Sequence, residues 1–502
     1  MERNPGKTPP SKNPERWFPL VLAGLGFAVI APVLWSDWLG DDAFYSLLRG
    51  ALAAEHASLE QAMLHAFTLW FHANGRFYPG HILQKYVVFY VFTNLIAYKA
   101  FLVAATLVVV ELFRRCVATY TTTAMGNLSG LFVVTLFTLR GYHDPILSYN
   151  AGPQVLAALM LLSLIAFRRA LRRPDPAAYA ASVALYAAAA LTYEDAYLFC
   201  LLYPLLARTV RVSNRQAARL ALPYVVVAGV LVTLSLGMRR LVHLPSTSGY
   251  AFGADPRAIV VTALEQIVAA FPLTYWGFDP SHIYSRSDFA DFFRNAPLSP
   301  VVFLAFAATA WWCLGKIPPE RKYAAGLAWV GAVVLILPAL PIALTVKYQR
   351  ELAWGLGYLP VFFEYFGVAL LASAATTILL SRFPARARSA LCVAVALVAA
   401  MTQATNVRLV REGVTSRAAR AALERQLTGG LLADVRNGQA IAMARDFDWI
   451  AYDGDGPDGI ATRFMFSQYG DRNVMLVPPG DAAARVALDY DRARNTWSLQ
   501  RR

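Results

Sequence analysis

Long apolar runs broken by short polar connectors dominate the chain up to about residue 405. A run needs about 20 mostly apolar residues to cross a bilayer, because a helix satisfies its own backbone amides in hydrocarbon. Eleven segments reach or approach that length, beginning near Trp17, Leu95, Val117, Pro153, Ala177, Ala196, Leu220, Pro297, Tyr323, Gly355 and Ser389. The first, residues 17–35, ends in Trp-Ser-Asp-Trp rather than in the small residues of a cleavage site, so it reads as an uncleaved span. The segment from Ala196 is the shortest, and residues 86–92 fit a re-entrant or interfacial helix. Two connectors are long, about residues 37–85 and 239–296. Each carries a helix-period apolar stripe (Phe44, Leu47, Leu48, Leu52, Leu59, Met63, Phe67 and Trp70; then Ile259, Val260, Leu264, Ile267, Val268 and Phe271), which suits helices lying in the interface. After Asn406 the pattern changes to a helix-like run over 407–427 and short strand patterns at 440–443 and 473–477. The expected fold class is an all-α polytopic membrane protein of about 11 transmembrane helices, with interfacial helices in the outside loops and a small C-terminal α+β module. Residues 1–16 would be a cytoplasmic N-terminus, 17–405 the transmembrane domain and 406–502 the extracytoplasmic module.

Composition agrees. Hydrophobic residues make up 57% and charged residues 16% of the chain, against about 45–50% and about 25% in soluble domains, which excludes an ordinary water-soluble enzyme. The net charge is +14, and its placement decides what it means. Counting sides from a cytoplasmic N-terminus, the inside segments hold four Lys/Arg in the first 16 residues, then Arg114 and Arg115, the Arg168, Arg169, Arg172, Arg173 group, Arg208 to Arg219, Lys316 to Lys322, and Arg382 to Arg388. Outside loops are poorer in basic residues, so the positive-inside rule supports this orientation and most of the basic excess is topogenic. Nothing in it calls for nucleic acid. Acidic residues collect on the opposite side, where the long loops are, and that side is the expected working surface. In a bacterial inner membrane the outside, including the C-terminal module, is the periplasm. The four cysteines show no CxxC and no histidine at ligand spacing, so neither a disulfide framework nor a zinc site is expected.

Candidate chemistry follows the same asymmetry. Directly after the first span comes Trp35-Ser-Asp-Trp-Leu-Gly-Asp-Asp-Ala-Phe-Tyr45. Two adjacent carboxylates at a membrane surface repel each other and lose hydration, which raises at least one pKa toward the range of a general base, so Asp41 and Asp42 lead for catalysis. A helix N-cap is the plainer role for the same residues. Arg140-Gly-Tyr-His-Asp-Pro145 brings His143 and Asp144 together in what is otherwise a polar interfacial turn. Glu194 and Asp195 stand in a short outside turn, where acidic groups are costly unless paired or hydrated, and are candidate metal ligands or partners of a base. Lys347 and Arg350, with Arg239 and Arg240, are cations at the outer face that can clamp a phosphate or simply snorkel. Tyr275 and Trp276 lead among the outside aromatics for stacking on a sugar ring, although interfacial belts explain most of these side chains.

A long first outside loop carrying an acidic pair directly after span one, followed by interfacial helices in a multispan chain with an outside C-terminal domain, resembles the GT-C superfamily of polyprenyl-phosphate-sugar-dependent glycosyltransferases. The resemblance covers the whole architecture and rests on one short motif. It implies that Asp41 or Asp42 is the base that deprotonates an acceptor hydroxyl, that the donor is a polyprenyl-phosphate sugar, that the acceptor is a glycan, lipid or protein outside the cytoplasm, and that transfer inverts the anomeric centre. A divalent cation, Mg or Mn, would join the site only if residues such as Glu194 or Asp144 take part.

Other signals lead nowhere. The Asp453-Gly-Asp-Gly-Pro-Asp-Gly459 stretch has Pro457 and Phe464 where a calcium loop needs ligands, and the Asn127-Leu-Ser129 sequon lies in a span. No phosphate-binding glycine loop or nucleophile elbow is present. A transporter or lipid-linked-glycan flippase is the first rival, suggested by Lys99, Glu111 and Glu364 within or near spans, but there is no internal repeat. A glycan polymerase or ligase is the second.

Overall fold

The computed structural model describes residues 16–141, 143–173, 175–208, 213–242, 250–278, 294, 296–317, 323–442, 460–478 and 481–501. Seven of its helices are long and apolar enough to cross a membrane: Phe18–Trp35, Leu95–Tyr120, Gly152–Arg172, Asn214–Leu241, Ala324–Ala343, Val361–Arg382 and Pro384–Thr415. Thr123–Thr135, Pro176–Thr192 and Ser299–Leu314 are apolar but shorter. The eleven expected segments thus resolve unevenly. The third begins at Thr123 rather than near Val117, because the preceding helix runs on to Tyr120 and the Thr122 side chain caps the next by accepting from the Met125 amide. The segment near Ala196 is a 3₁₀ stretch, Glu194–Leu201, followed by the short helix Leu202–Arg208. Pro204 has no N–H to return to the Cys200 carbonyl, which breaks α-helical continuity there. Of residues 86–92, all but Phe92 belong to the helix Pro79–Val91, which stands before the Asn94-capped span.

Close backbone contact holds the bundle where glycine permits it. A Cβ on Gly367 would lie 2.6 Å from the Leu335 nitrogen and 2.8 Å from the Gly331 oxygen, so Val361–Arg382 and Ala324–Ile336 can touch only because both positions lack side chains. Several polar groups inside the bundle have local partners. Asn406 donates to the Val29 and Phe137 carbonyls, both at 2.9 Å, and accepts from the Leu139 amide at 2.7 Å. Lys99 donates to the Leu147 carbonyl at 2.7 Å, Glu111 pairs with Arg114 and Arg115, and Glu364 accepts from Gln266 at 3.0 Å. The intramembrane charges that suggested a transporter are therefore local ties.

The expected domain boundary at 406 falls inside one helix, Pro384–Ser416, which leaves the bundle without a break and is followed by Ala418–Thr428. Strands β1 (Ala440–Ala442), β2 (Met475–Val477), β3 (Val486–Asp491) and β4 (Thr496–Arg501) form one sheet in the order β2-β1-β3-β4. β1 is parallel to both its neighbours, while β3 and β4 make an antiparallel hairpin registered from Val486 with Arg501 to Asp491 with Thr496. The helix Ile460–Gly470 precedes β2. The core of this region is shared with the first outside loop. Leu47 is buried among Ala419, Leu423, Phe464 and Trp497, and Phe44, Ala51 and Ala54 pack against the same cluster. The Asp453–Gly459 stretch lies outside the described residues.

Candidate active site

A polar cavity of about 1200 Å³ opens at one end of the bundle, where the two long connectors meet. Its lining comes from six separated parts of the chain: Leu39–Tyr45 in the first loop, Trp70–Phe89 further along, Arg140–Asn150, Tyr250, Lys347–Tyr358, and Leu409–Arg417 at the end of the long tail helix.

The acidic pair divides into two different environments. Asp41 is half-buried and lines the cavity at the start of the helix Asp41–Tyr45. Gly40 precedes it at φ +55°, and a Cβ there would meet the Ser148 hydroxyl at 3.3 Å, so the turn that presents Asp41 needs glycine for conformation and space. Asp42 is only 1% exposed. Its Oδ1 accepts from the Tyr149 and Asn150 amides at 2.8 and 3.1 Å, and its Oδ2 accepts from the Tyr98 hydroxyl. Burial pushes its pKa up to about 6, against the lowering by Lys99 and these hydrogen bonds. The amides it binds belong to a strained segment. Tyr149, Asn150 and Ala151 have φ of +93°, +46° and +59° in succession, each such residue costing about 1–3 kcal/mol. Asp42, expected as a possible base, thus has both oxygens committed to holding this segment against the first loop.

One cation, Lys85, interacts with Asp41 from a helix that sequence reasoning passed over. Lys85 stands on Pro79–Val91 with its Nζ 3.8 Å from the centre of the Tyr45 ring, and its pKa is brought down to about 8 by burial, partly opposed by the charge of Asp41. Lys347 lines the same cavity, 3.9 Å from Glu351 and 5.9 Å from the Tyr250 ring centre. Arg76 also lines it, but its guanidinium is engaged by Glu194 through contacts of 2.8 and 3.2 Å and lies over Tyr78 and Tyr193. The floor is aromatic: His81 stacks on Tyr149 at 5.4 Å, and its pKa falls well below the usual value through burial and the charges of Lys85 and Arg76, which keeps the ring neutral.

The remaining expected residues separate into those that reach this cavity and those that do not. His143 lines it, at φ +40° and edge-on to Tyr358. Asp144 lines it too, yet accepts from the Arg140, Ile146 and Leu147 amides, so it folds its own turn; burial pushes its pKa up to about 6. Glu194 does not line it. Burial opposes the ionisation of Glu194, and the Arg76 guanidinium more than offsets that, so the carboxylate is held below its ordinary range. Asp195 is buried beside it and pushed up to about 8 by burial and the Glu194 charge. Arg239 supports the Arg76 loop instead of a substrate: it lies 3.8 Å from Glu194 and against Gly75, whose Cβ would meet it at 2.5 Å. Arg240 and Arg350 are exposed and do not line the cavity. Tyr275 is buried against Arg140, with its hydroxyl accepting from the Gly141 amide, and the Trp276 indole donates to Thr405, so both pack the fold beside the cavity rather than offering a ring to it. Arg140 itself is a clamp, donating to the Gly355, Leu356 and Ala269 carbonyls and to Tyr365.

Among the described residues the donor set does not make a divalent-cation site. Among the described residues no three His, Cys, Asp or Glu side chains converge at ligand spacing, and the oxygens of Asp42 and Asp144 are taken by backbone amides and a tyrosine.

No protein-family model matches the chain, and no curated protein matches it. Among solved structures, the Archaeoglobus fulgidus oligosaccharyltransferase, tethered with an acceptor peptide containing the NVT sequon via a disulfide bond, aligns over 95% of this chain and 65% of its own at 11% identity, with a TM-score of 0.40. This chain therefore spans less than two thirds of the length of that protein.

Proposed function

We propose that the chain is an integral-membrane glycosyltransferase of the GT-C kind, moving a sugar from a polyprenyl-phosphate carrier to an extracytoplasmic acceptor such as a glycan, lipid or protein. The observation that carries the reading is a polar cavity at one end of an apolar bundle whose lining includes a carboxylate, Asp41, with Lys85 close to it, a second cation, Lys347, and an aromatic floor.

Asp41 takes the proton of the acceptor hydroxyl. The acceptor oxygen forms a bond to the anomeric carbon from the face opposite the carrier, the bond from that carbon to the phosphate oxygen breaks with its electron pair, and the configuration inverts. The phosphate leaves with its new charge beside Lys85 and Lys347, fixed cations in a partly dry site and therefore effective stabilisers of the developing anion. Asp42 serves by position, holding residues 149–151 under the reacting groups.

The test is transfer from a panel of synthetic polyprenyl-phosphate sugars by the purified protein, compared with Asp41→Asn. Loss of a positioned base is expected to lower turnover by about 100-fold to 10,000-fold while carrier binding persists. Full transfer by the variant would remove Asp41 from this role, and carrier movement across vesicles without transfer would turn the reading toward a flippase.

A further inference from the structure

A second cavity, of about 470 Å³, lies within the bundle and shares no lining residue with the polar one. Its volume is that of an ordinary ligand site, about 300–1,000 Å³. Apolar side chains from several helices make its walls, among them Phe113, Val117, Leu164 and Leu206, and its only hydroxyl-bearing lining residues are Tyr120, Thr121 and Tyr323. Gly326 marks an opening: it is exposed, and a Cβ built on it meets nothing within 4 Å. Charge stands at the Tyr120 end. The Arg168 guanidinium lies 5.0 Å from the Tyr120 ring centre, and Arg172 donates to the Thr119 carbonyl at 2.8 Å.

We propose that this cavity binds an anionic glycerophospholipid, with one acyl chain between the helices and its phosphate at Arg168 and Arg172. An apolar void facing a bilayer forfeits dispersion contacts on every wall unless a chain fills it. Two guanidiniums at one end supply the charge that complements a phosphate. A chain without an anionic head would satisfy the walls and leave that end unused. The site is independent of the glycosyltransferase reading, since none of its residues lines the polar cavity.

The experiment uses the full chain, stripped of lipid in detergent and offered palmitoyl-oleoyl phosphatidylglycerol, the matching phosphatidylcholine, or undecaprenyl phosphate, with retained lipid counted by native mass spectrometry. One phosphatidylglycerol per chain is expected to survive, held about 30-fold more tightly than phosphatidylcholine. Arg168→Gln with Arg172→Gln should erase that preference, and Gly326→Phe, which fills open space without a backbone clash, should abolish retention. A phosphatidylglycerol carrying a photoreactive acyl chain should label residues 113–121 or 326–334 of the unmodified chain, which tests the site without any variant. Equal retention of the two phospholipids, loss of the label from residues 113–121 and 326–334 to undecaprenyl phosphate but not to excess unlabelled phosphatidylglycerol, unchanged binding by a folded Gly326→Phe protein, or labelling elsewhere would each overturn the assignment.

Discussion

Asp41 and Asp42 are neighbours in sequence with different tasks, and the difference is one of hydrogen-bond inventory. The pair was readable as a pair, but which member is tied into the fold depends on Tyr98 and on the amides of 149 and 150, more than fifty residues away in sequence. Lys85 was harder to see, because its helix reads only as an apolar segment before a span. Together these groups predict a bell-shaped pH dependence of turnover. Asp42 titrates near 6 because burial disfavours its charge; below that pH it gains a proton, loses acceptor strength toward the Tyr149 and Asn150 amides, and activity falls as pH drops. Lys85 is charged below about 8 and neutral above it, so the phosphate clamp weakens as pH rises through that value. A pH–rate profile on wild type should show both limbs. Lys85→Arg should move the basic limb upward, since a guanidinium stays charged, and Asp42→Asn should have low activity with no acidic limb near 6. A limb that persists unchanged in either variant would assign it to another group.

At the level of elements, the tail is bound into the first loop rather than attached beside it. Gln468 accepts from the Gly50 amide at 3.1 Å and donates to the Ser46 carbonyl at 2.8 Å, Arg420 donates to the Ser46 hydroxyl at 2.9 Å, and Phe464 meets Phe44. A Cβ on Gly50 would stand 2.1 Å from the Phe464 carbonyl oxygen, so the helices Leu48–Ala54 and Ile460–Gly470 touch backbone to side-chain position. Strand patterns near 440 and 475 were legible from alternation and turns. The β3–β4 hairpin was legible too in principle, from Val486-Ala-Leu-Asp and Trp497-Ser-Leu flanking an Asn495 at φ +50°, but its role was not, because only the fold joins it to Leu47. The consequence is catalytic. Gly50→Ala should displace the segment that carries Asp41 and lower turnover by about tenfold or more, with carrier KM little changed, whereas Gln468→Glu, which keeps the acceptor but loses the donor to Ser46, should have a smaller effect. Steady-state kinetics beside thermal melts of the purified proteins separate this from unfolding; wild-type turnover in a folded Gly50→Ala protein would show that the tail does not position the first loop.

For the whole molecule, the charge asymmetry seen along the sequence becomes a sorting of the bundle's two ends. The polar cavity is lined by connectors and helix ends assigned outside, together with the tail helix, and the ends assigned inside meet one another: Arg172 bonds Thr119, Arg388 bonds the Trp311 carbonyl at 2.7 Å, and Phe18 stacks on Trp312. The span count was less legible, because a proline in 202–208 and the capped start at Thr123 divide apolar sequence in ways that mean hydropathy does not register. Orientation then becomes a measurable statement. All four native cysteines are buried, so background labelling of the intact chain is low. A cysteine at exposed Glu60, in the first long loop, should react with a membrane-impermeant maleimide in intact cells, and one at exposed Arg173 should react only after the membrane is opened. Two ends joined by an odd number of crossings would put the tail on the Glu60 side, with a cysteine at exposed Arg494 labelling like Glu60. The reverse pattern would place the polar cavity on the cytoplasmic face, where a nucleotide-sugar donor would replace the proposed lipid carrier, and the acceptor side of the reaction would have to be reassigned with it.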